Sequence, residues 1–182
     1  MRRALLVLAV SAGVLASGAL PAAAADSVIS DANDSTGLDI SRVALANADS
    51  PPPVWTISTF RTWTIAGIWD KGYFMVELDT AGGAGPEYRA LIRSDGRRML
   101  GRLYRVRRHA VDVALGKLRA HKVNSRSVAV TVPLSKLTFG PDRTAYKWDV
   151  LTSFASKKCP GATCFDRAPD EGSVSQPLPG GG

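Results

Sequence analysis

Glutamate is scarce in this 182-residue chain: Glu77, Glu87 and Glu171 are its only three, so paired-glutamate acid–base chemistry has little to draw on. Histidine is scarcer still, and neither His109 nor His121 lies beside a Ser or Cys nucleophile motif. No Gly-x-Ser-x-Gly elbow occurs. A triad assembled in space would leave no such mark, but nothing in the residues favours an enzyme, and a non-catalytic protein is the expectation. After residue 25 no run is apolar enough to cross a bilayer.

The start of the chain reads as a secretory signal peptide covering residues 1–25. Arg2 and Arg3 precede an apolar stretch from Ala4 to Leu20, and Ala23-Ala24-Ala25 before Asp26 supplies small residues for cleavage after Ala25. A soluble, secreted chain of one domain is expected from Asp26 onward. In an oxidising space the two cysteines, Cys159 and Cys164, read as a disulfide, since Pro160-Gly161 between them makes the turn that brings them together. A redox pair or half a metal site is the alternative, but the spacing is not Cys-x-x-Cys and no His or third Cys stands nearby.

Alternation of apolar and polar residues dominates the chain beyond residue 37. Gly72 to Thr80 places Phe74, Val76 and Leu78 on one face and Tyr73, Met75, Glu77 and Asp79 on the other, the mark of a half-buried strand. Similar runs are expected at 38–47, with a slip near Arg42, and at 54–63, 87–92, 98–106, 111–118, 127–134 and 144–154. Asp95-Gly96 is a hairpin signal between two of them, with Leu91, Leu100 and Tyr104 expected to face the core. Residues 81–86 are glycine-rich, but no helix or Lys-Ser pair follows to make a phosphate cradle, so a mobile connection is expected. Residues 171–182, rich in Pro, Gly and Ser, read as a disordered tail.

Charge is unevenly placed on a chain of net charge +7. Acids dominate as far as residue 88, whereas residues 89–126 carry Lys and Arg against only Asp95 and Asp112. Arg97, Arg98, Arg102, Arg105, Arg107 and Arg108 form a basic patch on the hairpin. It suits an acidic protein or polymer, or serves simply as a solvated, edge-protecting surface. Nucleic acid is the less favoured polyanion for an exported chain. At the other extreme, Asp31, Asn33, Asp34 and Asp39 crowd into an acidic N-terminal arm, residues 26–37 and their border. Such oxygen donors suit a hard cation such as Ca²⁺, although their spacing is not that of an EF-hand, and a solvated arm is the plain alternative.

Eight or nine short strands behind an Asp-rich opening predict an all-β fold, a single antiparallel β-sandwich over residues 38–170. The succession Asp31-x-x-Asp34-x-x-Gly37-Leu38-Asp39-Ile40, Val76-Glu77-Leu78-Asp79-Thr80, Val130-Thr131-Val132-Pro133-Leu134-Ser135-Lys136-Leu137 and Tyr146-Lys147-Trp148 resembles exported proteins of the DOMON-like group, which includes the family 9 carbohydrate-binding modules. The resemblance implies a jelly-roll-like sandwich, a structural Ca²⁺ near the termini and an aromatic sugar platform. Carried onto this chain, it adds Asp166 or Asp170 to the acids at 31, 34 and 39, and offers Trp55, Trp63 and Trp69 as platform candidates. Haem, held by Met and His in other members, is disfavoured because Met75 shares a face with Glu77 and both histidines sit in the basic block. The first functional expectation is a binding module for glycan or cell-wall polymer. The second is an envelope interaction protein docking an acidic partner through the arginines.

Overall fold

The computed structural model describes residues 26–35, 37–46 and 52–179; the stretch read as a signal peptide, its cleavage site and part of the proline-rich break lie outside them. The described chain is all-β, with eleven strands: β1 Ser27–Ser30, β2 Ile40–Ala46, β3 Val54–Thr59, β4 Gly72–Asp79, β5 Tyr88–Ser94, β6 Met99–Arg105, β7 Val113–Lys122, β8 Ser127–Thr131, β9 Ala145–Ala155, β10 Thr163–Ala168 and β11 Val174–Pro177. All pair antiparallel, in the order β1-β2-β3-β8-β7-β6-β5-β4-β9-β10, with β11 sharing the edge of β9 beyond β10.

The eight or nine strands expected are eleven, and they pair as one continuous, nearly barrel-shaped antiparallel sheet. Long β7 makes the difference, because Val113–Leu118 pairs with β6 while Arg119–Lys122 pairs with β8. The two ends of the sheet then approach each other. The Ile40 N–H donates to the Asp166 carboxylate, Thr152 Oγ1 donates to the Leu38 carbonyl, and Ser27 Oγ donates to Gln176 Oε1 at 2.6 Å. Strands β1, β10 and β11 are the ones sequence alternation missed. Each has only four to six residues, and each gains its order by adding to an existing edge, β1 on β2 and the other two on β9. The acidic arm thus contains a strand, and the tail at 171–182, expected to be disordered, carries β11.

Inside the barrel, Phe74, Val76 and Leu78 are fully buried, as the alternation of β4 demands. Facing residues of β9, Tyr146, Trp148, Val150 and Thr152, share this core, and Trp148 meets Trp55 of β3 edge-on at 6.3 Å between ring centres. On β5 and β6 the phase differs from expectation. Tyr88, Ala90, Ile92, Met99 and Leu103 point inward, which leaves Leu91, Leu100 and Tyr104 on the outer face. Arginine alternation misled here, because apolar residues occur on both faces of this hairpin. The register of β2 on β3 shifts between Ile40 and Arg42, at the slip that the sequence marks.

Strand pairing also orders the outer face of the six strands from β10 to β7. One row runs Phe165, Ser153, Tyr73, Arg93, Leu100; the next runs Arg167, Leu151, Met75, Leu91, Arg102, Lys117. At about 4.8 Å between strands this face is roughly 24 Å wide.

Candidate functional site

Folding brings the acidic opening against the last strands. Asp31, Asp166 and Asp170 form one group whose carboxylate oxygens lie within 4.8 Å of one another, and Asp34, Asp39 and Asp166 form a second, so Asp166 of β10 is common to both. The cause is the closure of the sheet: the arm between β1 and β2 lies over the edge of β10, where Ser35 Oγ donates to the Phe165 carbonyl. Asn33 is exposed in the same arm.

The electrostatics of this cluster are those of crowded acids. Asp31 is pushed up to about 6, first by burial and then by Asp166, Asp170 and Asp34, against one N–H from Ala32. Burial likewise raises Asp39 and Asp166; for each the proximity of Asp34 adds to the shift, and backbone N–H donors oppose it. Asp39 is 0 % exposed and its Oδ1 accepts from the Ser35 N–H, while its Oδ2 and that of Asp31 are buried without a hydrogen-bond partner. Buried carboxylate oxygens left unpaired are costly unless something cationic meets them. An all-oxygen donor set fits a hard cation, Ca²⁺ before any softer metal.

The tryptophans separate. Trp55 is completely buried and Trp63 is 8 % exposed, packed on Phe74 with Lys122 4.3 Å above its ring, so neither can offer a face to a sugar. This corrects the three-residue platform: interior positions of short strands select large aromatics for the core. Only Trp69 stays exposed, at 53 %, leaning over Gly96 of the β5–β6 turn.

All six arginines of the basic patch are exposed. Arg98 pairs with Asp95, whose carboxylate is also held by the N–H groups of Arg97 and Arg98, and these hydrogen bonds lower its pKa. Arg98 and Arg102 stand with Arg93 and Lys117 around a shallow groove floored by Leu91, Leu100 and Tyr104. Arg105, in register with inward-facing Tyr88, is exposed where β6 ends, and Arg107 and Arg108 are exposed in the β6–β7 loop, where Val111 is 88 % exposed. Toward β9 the face turns to balanced pairs: Arg89 bridges Glu77 at 2.6 Å and Asp112 at 3.3 Å, and Arg167 holds buried Asp149 at 2.6 Å. The glycine-rich loop 81–86 is pinned to these elements, since Glu87 accepts from the N–H groups of Thr80 and Ala81.

Cys159 and Cys164 are disulfide-bonded and sit between β9 and the start of β10. Beside them lies a feature that sequence reading passed over, Phe165, 68 % exposed on the outer face of β10. Its alternation with buried Cys164 and Asp166 was the available signal. His109 lies in the β6–β7 loop and His121 near the far end of β7, both exposed. Among the described residues no helix is long and apolar enough to cross a membrane. No protein-family model, curated protein or solved structure matches the chain, so the site itself carries the functional reading.

Proposed function

We propose that this is a secreted, non-catalytic binding module of the cell envelope whose ligand is an anionic polymer held along the arginine-lined face of β5, β6 and β7. One observation carries the reading: six exposed arginines, joined by Arg93 and Lys117, meet one direct counter-charge among the described residues, the Asp95 bound to Arg98. The arginines are strung along about 23 Å of chain, seven strand steps from Arg98 to Arg105, a length suited to a chain of repeating charges rather than a small anion. Guanidinium groups bind carboxylate or phosphate oxygens in pairs. The glycan-platform alternative retains only Trp69. Affinity for polygalacturonate and for poly(glycerol phosphate), measured at low and high salt, tests the proposal; binding that ignores salt, or binding to neutral polysaccharide alone, would refute it.

Calcium belongs to the same proposal. The carboxylates around Asp166 hold Ca²⁺, and the orphaned Oδ2 of buried Asp39 supports this. The ion ties the opening arm to β10 and so fastens the closure of the sheet. The likeness to the DOMON-like group is part of this reading.

A further inference from the structure

Resting on that calcium reading, we infer that the ion is also a ligand-binding centre: in the groove beside β10 it takes a pair of neighbouring hydroxyls from a neutral sugar, whose ring lies on Phe165. Asp34 and Asp166 belong to the carboxylate cluster and also line this groove, together with Phe165, Leu151, Lys158 and Arg167.

Coordination argues for an incomplete shell. Ca²⁺ takes six to eight oxygens. Among the three carboxylates of the Asp34–Asp39–Asp166 group, several oxygens are already committed. Asp166 Oδ2 accepts from the Ile40 N–H, Asp166 Oδ1 from the Arg167 N–H, and Asp39 Oδ1 from the Ser35 N–H. Asp39 and Asp166 close the inner side, whereas Asp34 is exposed and borders the groove. The remaining coordination positions therefore open outward.

Charge selects the ligand. Three carboxylates outweigh one Ca²⁺ by a full negative charge, Arg167 is already engaged by Asp149, and Lys158 balances the remainder, so the groove carries no surplus positive charge to call for an anion and neutral hydroxyl oxygens suffice. Phe165, 68 % exposed on the outer face of β10, lines the same groove as Asp34 at the strand's edge, and a flat ring gains by covering the apolar face of a sugar. Lys158 and Arg167 supply donors to the outlying hydroxyls. The same outer face leads from Phe165 through Tyr73 to Arg93, so a polymer bearing both sugars and anions can engage the groove and the arginine stripe together.

The test uses the chain from Asp26 to Gly182 on an array of neutral and acidic oligosaccharides that includes mannan fragments, with Ca²⁺ or with chelator. Terbium luminescence lifetime reports water displaced from the ion. Expected are binding of a neutral, vicinal-diol sugar that chelator abolishes, a longer terbium lifetime on adding that sugar, and roughly tenfold weaker binding in Phe165→Ala. The thermal shift caused by Ca²⁺ should survive in that variant. An intact calcium shift with no calcium-dependent sugar binding, or with full affinity in Phe165→Ala, overturns the inference and spares the calcium site. Among the sugars whose binding chelator abolishes, a preference for acidic ones overturns the charge argument, whereas acidic binding that survives chelator belongs to the arginine stripe. Absence of any calcium shift removes both.

Discussion

Substituting Asp39→Asn should separate what the carboxylate cluster costs from what the ion returns. In the Asp34–Asp39–Asp166 group the oxygens lie within 4.8 Å, so each ionised pair repels by about 1 kcal/mol even at the dielectric of water. Asparagine keeps the shape of Asp39 and can accept from the Ser35 N–H as the carboxylate does, but it removes one charge. Ca²⁺ at a hundredfold excess over its Kd should stabilise the parent chain by about 2.7 kcal/mol. For a domain of this size that corresponds to roughly 5–11 °C in the unfolding midpoint. In Asp39→Asn the calcium shift should fall to less than about a third of this, while the midpoint in chelator stays level or rises. Thermal unfolding by near-UV circular dichroism at pH 7, in Ca²⁺ and in chelator, reads both numbers. Equal midpoints for the parent under the two conditions would overturn the calcium assignment. So would a full calcium shift in the variant, because the buried Oδ2 would then have no part in holding the ion.

Acidity should act on the same cluster in a defined direction. Asp31 has a folded-state pKa of about 6 against an ordinary value of 3.8, so the folded chain binds the extra proton. Without metal, its contribution is fully present below about pH 4 and is lost as pH rises through 6; denaturant midpoints in chelator across pH 4 to 7 should show that fall, and the gain from Ca²⁺ should grow over the same interval. Reversing charge in Arg102→Glu with Arg105→Glu should weaken binding to polygalacturonate at least about tenfold and flatten its salt dependence, with the unfolding midpoint unchanged. Gly37→Ala should cost roughly 1–3 kcal/mol in denaturant unfolding, because Gly37 has φ +90° and a Cβ there would lie 2.6 Å from Phe154. Replacing both cysteines by alanine should cost roughly 2 kcal/mol, the worth of closing so short a loop, and should leave the calcium shift intact.

Local pattern was enough for some of this protein. Period-two alternation put Phe74, Val76 and Leu78 inside and defined the long strands, because a side chain's face in a strand depends only on its position along the pleat. The clustering of arginine after residue 89 and the turn between Cys159 and Cys164 were equally local. Tertiary structure alone decided the rest. It joined the strands into one curled sheet through the split pairing of β7, and ordered β1, β10 and β11 by lending them edges. Trp55 and Trp63 went into the core and Trp69 out of it, a distinction that β-propensity does not make. The joining of Asp31, Asp34 and Asp39 to Asp166 and Asp170 likewise came from closure of the barrel, since carboxylates more than a hundred residues apart meet only when the first and last strands do.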